Sequence, residues 1–248
     1  MRVTRIHVPA SLTRGMVLEL PPQQGRHLAR VLRLPAGAPV TLFNGDGGEF
    51  DAVIEDIRRD TVSVRVGTHQ AAERESPLQV TLLQGIARGE KMDFILQKAT
   101  ELGVARIVPL AMVRSTVRLT SETAPRKQEH WQGVVTSACE QCGRNRVPEV
   151  ATPAAFAAGV QAAPEGLKLL LSPEESSRTL AALLSQRADA ATTITLLVGP
   201  EGGFDPDEIR IAALAGFTSC RLGPRVLRTE TAALVALAAL QALAGDLS

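Results

Sequence analysis

The chain has 248 residues, 45% of them hydrophobic and 21% charged, with 27 lysines and arginines against 26 acids for a formal charge of +1. That length and apolar content suffice for one large or two modest cored domains and exclude a low-complexity chain. The near-neutral balance excludes a globally basic nucleic-acid binder, so any RNA-binding face must come from local charge asymmetry.

The first 70 residues read as short strands: Arg2 to Val8, Met16 to Leu20, Val40 to Phe43, Glu49 to Asp56 and Thr61 to Val66, with Asn44-Gly45-Asp46-Gly47-Gly48 as a turn. Such strands close most simply as a small β-barrel. Between them, Gln23 to Arg33 reads as a helix with Leu28, Val31 and Leu32 at apolar spacing and Arg26, Arg30 and Arg33 projecting elsewhere. Residues 1–33 hold Arg2, Arg5, Arg14, Arg26, Arg30 and Arg33 against a single acid, Glu19. Any one of these reads equally well as a solvated surface arginine; the cluster points to a phosphate-binding stripe. His27 has no neighbouring base or metal ligand and reads as an ordinary polar residue.

His69 to Pro77 is polar and without periodicity, which marks a linker and divides the chain into domains 1–72 and 73–248. Beyond it, strands at Val80 to Ile86, Arg106 to Leu110, Leu167 to Leu171 and Ile194 to Val198 alternate with helical stretches, the pattern of an α/β fold with a mainly parallel sheet. The helix Glu90 to Leu102 places Met92, Ile95, Ala99 and Leu102 on one face and ends at Gly103; Lys91 and Lys98, seven residues apart, share another. Cys139 and Cys142 fall within a helix from Ser121 to Gly143. With no second ligand pair and an odd third cysteine, Cys220, they suggest neither a metal site nor a disulfide framework. The longest unbroken apolar run, Ala232 to Leu240, is too short to span a bilayer, and no apolar leader segment is visible, so a cytoplasmic protein without a membrane partner is expected.

Two glycine loops follow, each after a short apolar strand and before a helix. The first is Gly199-Pro200-Glu201-Gly202-Gly203-Phe204, leading into a helix with Asp205 as N-cap, Pro206 at N1 and Glu208 at N3. The second, Gly223-Pro224-Arg225-Val226-Leu227-Arg228, joins the strand Ser219 to Leu222 to a long helix opening at Thr229. Two such loops at neighbouring strand ends make one crevice, where open α/β sheets bind ligands. Glu201 would repel a pyrophosphate, and both the dinucleotide and the P-loop spacings are missing. A ligand with hydroxyls, a purine edge and net positive charge fits better, and S-adenosylmethionine has all three. A lone Gly-Pro-Glu-Gly-Gly reads as a tight turn; two loops flanked by Arg225 and Arg228 read as a site. The final helix, Thr229 to Leu243, is apolar nearly all round and must be buried inside the fold or between subunits.

The strings at 197–204 (Leu-Val-Gly-Pro-Glu-Gly-Gly-Phe) and 222–232 (Leu-Gly-Pro-Arg-Val-Leu-Arg-Thr-Glu-Thr-Ala) closely resemble the signatures of the RsmE family, bacterial 16S ribosomal RNA uridine-N3 methyltransferases of the SPOUT class. Lys98 to Gly103, Glu140 to Arg144 and the Val31-Leu32-Arg33 segment also resemble family motifs, with Cys142 where a serine is expected. The resemblance covers the whole chain. It implies a PUA-like barrel that holds RNA, a C-terminal SPOUT α/β domain with a trefoil knot that binds S-adenosylmethionine, and a homodimer. It further implies a cofactor site at Leu171, Ser172, Gly199, Pro200, Glu201, Gly202, Leu222, Gly223, Leu227, Arg228 and Thr229. Contacts to 16S RNA, within the 30S subunit, are expected from Arg26, Arg30, Arg33, Lys91, Lys98, Arg144 and Arg225.

The expected chemistry is transfer of a methyl group from a sulfonium to N3 of a uracil. That nitrogen must lose its proton, and negative charge spreads onto O2 and O4, so the site needs a cation and a proton acceptor. Arg228 is the candidate cation. Glu201, Glu230 and water are the candidate acceptors. Two other classes compete: a non-catalytic RNA-binding or ribosome-assembly protein, which has no need of two glycine loops, and a dinucleotide-dependent oxidoreductase, disfavoured by Glu201 and by the missing fingerprint.

Overall fold

A computed structural model describes residues 3–59, 61–173, 178–185 and 193–247. Arg2, one of the six N-terminal arginines, lies outside them. The chain forms two compact units, residues 3–75 with Cys139–Val147, and Ser76–Ala138 with residues 148–247.

In the first unit the strands β1 (Thr4–His7), β2 (Val17–Glu19), β3 (Pro39–Phe43), β4 (Glu49–Arg58) and β5 (Thr61–Gln70) form one sheet in the order β1-β3-β4-β5-β2. Alternation of inward and outward side chains sets the register: Ala52 and Ile54 of β4 and Val62, Val64 and Val66 of β5 point into a core shared with Ile6, Val40 and Leu42. β5 runs on past the expected strand end, pairing His69 with Phe50 and Gln70 with Glu49, so the linker begins only after Gln70.

The expected helix at 23–33 is a short α-helix, α1 (Pro22–Arg26), followed by a π-helical turn at His27–Val31, in which the Leu32 amide reaches back to the His27 carbonyl at 3.0 Å. The wider turn rotates the residues after Leu28 off its face. Leu28 is buried, whereas Val31 and Leu32 are 67% and 40% exposed rather than in the core. Arg33 ends the turn in the left-handed region, φ 51°.

Arg5 is also not a surface arginine. It is buried, pairs with Glu49, donates to the Arg144 carbonyl at 3.0 Å and to Asn145 Oδ1 at 2.7 Å, and lies over the Phe43 ring at 4.8 Å. Arg144, expected at RNA, is buried with its Nε 2.9 Å from Glu75 Oε2. Glu140 accepts the His7 amide at 3.0 Å, and burial raises its carboxyl above the ordinary range. The 140–144 motif therefore fastens a later stretch of chain to the first sheet.

The second unit is a sheet of parallel strands. Its path is β11 (Arg178–Thr179), β13 (Thr218–Arg221), β10 (Leu167–Leu171), β12 (Thr193–Val198), β6 (Gln79–Gly85), β7 (Val104–Ala111) and β8 (Glu149–Val150), with β9 (Ala154–Ala155) beside β7. β6, β10 and β12 are buried along almost their whole length, as strands covered on both faces must be. The helices are α2 (Glu90–Glu101), α3 (Thr123–Cys142), α4 (Phe156–Gln161), α5 (Leu180–Ser185), α6 (Pro206–Leu214) and α7 (Thr229–Ala244). α2 ends at Gly103, φ 79°. Asp205 and Glu208 cap α6 reciprocally in the expected box.

α7 packs on α2 and β12 through Ala233, Ala236, Leu237 and Leu240. Gln241, also buried, accepts from Ser76 Oγ at 2.6 Å and donates to the Leu102 carbonyl at 3.1 Å, which locks the helix end. Its other side is open, with Val235 39% and Leu243 56% exposed, as is Phe94 of α2 at 45%. No helix among the described residues is long and apolar enough to cross a membrane.

Candidate functional site

Parallel pairing puts the C-terminal ends of β10, β12 and β13 side by side, so the loops that follow them converge. They enclose a cavity of about 490 Å³, within the range of small-molecule sites. Leu171, Ser172, Gly199, Pro200, Glu201, Leu227, Arg228 and Thr229 line it. Leu222, Gly223 and Arg225 line a smaller recess of about 70 Å³ that shares Leu171, Ser172 and Leu227 with the first.

Three contacts hold the loops together. Thr229, the first residue of α7, donates its hydroxyl to the Gly199 carbonyl at 2.6 Å. Gln84, wholly buried at the end of β6, donates to that hydroxyl at 3.0 Å and to the Gly85 carbonyl at 2.9 Å. Glu208, buried at the start of α6, accepts the Asp205 and Val113 amides, each at 2.9 Å, and so ties the turn after β7 to the first glycine loop. Gly85 has no room for a side chain: a Cβ there would lie 2.6 Å from Pro200 N.

Charge in the cavity is organised around Glu201. Burial pushes its carboxyl upward, but its own amide, the Arg88 amide at 3.1 Å and Lys91 outweigh that and hold it below the usual carboxylate range. Lys91 Nζ lies 3.4 Å from Glu201 and 3.8 Å from Glu230. Glu230 does not line the cavity, and its Oε2 is buried without a hydrogen-bond partner. Arg228 is exposed at the lip and, among the described residues, has no carboxylate at ion-pair distance. An ionised acid, a hydroxyl from Ser172 and bare loop backbone suit a ligand with positive charge and hydroxyl groups.

Several residues singled out in the sequence stand elsewhere. Gly202 does not line the cavity; a Cβ there would meet Arg114 Cβ and the Arg114 carbonyl, both at 2.8 Å, so this glycine allows two loops to touch. Lys98 pairs with Glu101 at 2.7 Å. Lys91, on the same helix, belongs to the cavity wall. Arg26, Arg30 and Arg33 are exposed in the first unit.

Arg114 and Phe204 line the cavity and were missed. Arg114 contacts Asp205 at 3.7 Å and carries no local sequence signal, because only the pairing of β6 with β7 brings it there. Burial raises the Cys139 and Cys220 thiols to about 12 and about 11, which leaves them unreactive.

Residues 74–241 match the model of an RNA methyltransferase domain, and residues 20–67 that of an RNA methyltransferase PUA domain. The chain is 35% identical to ribosomal RNA small subunit methyltransferase E of Buchnera aphidicola, over 100% of this chain and 99% of that protein. It is 32% identical to the Bacillus subtilis protein of the same name, over 92% and 93%. Among solved structures, a protein from Legionella pneumophila in complex with bound cofactor SAM superposes with a TM-score of 0.94 at 44% identity, covering 100% of both chains. Ribosomal RNA small subunit methyltransferase E from Neisseria gonorrhoeae, bound to S-adenosyl methionine, gives 0.90 at 36%, again with full coverage of both.

Proposed function

The chain belongs to the ribosomal RNA small subunit methyltransferase E family, and from that membership we propose that it methylates N3 of a uridine in 16S ribosomal RNA, with S-adenosylmethionine held between its two glycine loops. The observation that carries this reading is the cavity of about 490 Å³ walled by Gly199, Pro200, Glu201, Leu227, Arg228 and Thr229. It is large enough for a nucleoside with an amino-acid arm, and its wall sets one carboxylate, Glu201, among the cations Lys91, Arg114 and Arg228. Leu171 and Ser172 complete one wall, and the neighbouring recess adds Leu222 and Gly223.

Bound there, the cofactor supplies a methyl group made electrophilic by its sulfonium. The protein's own residues do the rest. Glu201, held as a carboxylate by two amides and Lys91, suits balancing the cofactor's positive charge better than taking a proton. Arg228 is free to meet the negative charge that develops on the uracil oxygens as N3 attacks. With Glu230 outside the cavity lining, the N3 proton passes to water, and a new carbon–nitrogen bond would form as the carbon–sulfur bond breaks, leaving S-adenosylhomocysteine.

Arg26, Arg30 and Arg33 of the PUA-like unit are assigned to RNA backbone, and Arg225 and Lys91 to RNA near the methyl group. Phe94, Val235 and Leu243, exposed on α2 and α7, are assigned to a homodimer interface. A trefoil knot at the C-terminus is part of the same proposal: the chain crosses from β12 over β10 to β13 and then returns through α7 onto β12. A cytoplasmic enzyme acting within the 30S particle completes the reading.

Incubation of the purified protein with methyl-labelled S-adenosylmethionine and either free 16S RNA or 30S particles tests it. Label in the RNA is the expected result. RNA binding without transfer would make the protein a binding or assembly factor.

A further inference from the structure

Gln84 is a polar side chain with 0% exposure at the end of a strand whose buried residues also include Val80, Thr81, Leu82 and Leu83. Its orientation is fixed. The Gly85 carbonyl, 2.9 Å away, can only accept, so the atom facing it must be Nε2; and because the Thr229 hydroxyl gives its proton to the Gly199 carbonyl at 2.6 Å, it must in turn accept from Gln84 at 3.0 Å. The result is a directed chain, Gln84 to Thr229 to Gly199, in which each group has one possible role. It joins the end of β6, the first turn of α7 behind the second glycine loop, and the first glycine loop itself. Gln84 Oε1 has no hydrogen-bond partner, a cost that an apolar side chain of the same size would avoid.

We propose that Gln84 is a positioning residue of the cofactor site: through the Thr229 hydroxyl it fixes the spacing between the two glycine loops that the cofactor must bridge. This rests on the reading of the cavity as the S-adenosylmethionine site. Gln84 itself does not line the cavity, whereas Gly199 and Thr229 both do. Without its donor, the Thr229 hydroxyl can turn away from Gly199, and the loops are then held only by packing. The adjoining residue works to the same end, since Gly85 lets Pro200 of the first loop approach to a distance that a Cβ would forbid.

The test is a calorimetric titration with S-adenosylmethionine on Gln84→Leu, Thr229→Val, the double variant and Thr229→Ser, each with a thermal unfolding curve. Gln84→Leu should weaken cofactor affinity roughly five- to tenfold, the effect of one hydrogen bond, with a melting temperature equal to or above that of the unmodified protein. Thr229→Val should lose a similar factor, and Thr229→Ser, which keeps the hydroxyl, should lose less than Thr229→Val. The double variant should be no worse than the worse single variant, because both cut the same chain. In turnover, the KM for cofactor should rise while the KM for RNA stays put.

Full affinity in Gln84→Leu, or losses that multiply in the double variant, would overturn the proposal. Gln84→Met serves as a second variant should leucine disturb folding. Failure of the unmodified protein to bind S-adenosylmethionine would instead overturn the assignment of the cavity.

Discussion

Gly202 separates two accounts of the first glycine loop. Read as a motif, the loop keeps Gly202 bare to leave space for a ligand; in the structure the space is taken by Arg114, whose Cβ and carbonyl oxygen would each lie 2.8 Å from an added Cβ. Ordinary carbon contacts begin near 3.5 Å, so Gly202→Ala is short by roughly 0.7 Å against a backbone atom that cannot rotate away. Overpacking of this kind costs on the order of 1–3 kcal/mol. For a unit of this size that corresponds to a melting point lower by roughly 3–10 °C. Gly203→Ala is the companion, with nothing within 4 Å of its Cβ but φ 70°, so its cost is conformational only, about 1 kcal/mol. Differential scanning calorimetry with and without S-adenosylmethionine measures both. A Gly202→Ala protein as stable as the unmodified one but unable to bind cofactor would refute the packing argument and restore the ligand-space reading.

Three further outcomes follow from named residues. Leu237, at 0% exposure, belongs to the core, so Leu237→Asp should unfold the second unit, whereas Val235→Asp on the open side of α7 should leave a folded monomer; circular dichroism and light scattering distinguish the two. Glu201 is held below its unfolded value, so its stabilisation is present above about pH 4.3 and lost as pH falls through the folded value. Glu201→Gln should therefore melt lower than the unmodified protein at neutral pH and the gap should close in acid, as thermal scans across pH will record. Replacing Arg26, Arg30 and Arg33 together should weaken RNA binding and reduce its salt slope by roughly one unit for each phosphate no longer neutralised, with cofactor affinity unchanged in calorimetry.

What the sequence made legible was whatever depends on near neighbours along the chain. The capping box at Asp205 and Glu208, the stop at Gly103 and the strand–loop–helix repeat around Gly199 and Gly223 are local chemistry and could be read directly. Spacing misled where one extra residue entered the turn: the π-turn at His27–Val31 keeps Leu28 inside but puts Val31 and Leu32 outside. Charge counts misled where partners lie far away, since Arg5 meets Glu49, Arg144 and Asn145 only after folding. The cavity residues Arg114 and Lys91 were legible as charges but not as parts of one wall with Glu201. Their place follows from the parallel pairing of β12, β6 and β7 and from Glu208 bracing the turn at Val113. The buried Gln84 was invisible for the same reason, since its partner Thr229, and Gly199 beyond it, lie more than a hundred residues away.

The central claim is that this cavity delivers a methyl group to a uridine base, and the product itself tests it most directly. After reaction of the purified protein with S-adenosylmethionine and 30S particles, the 16S RNA is digested to nucleosides and separated by liquid chromatography with mass spectrometry. The account predicts a single new nucleoside, 3-methyluridine, that is lost in the Arg228→Ala protein. Methyl groups on ribose or on another base, or no modified nucleoside at all, would contradict it.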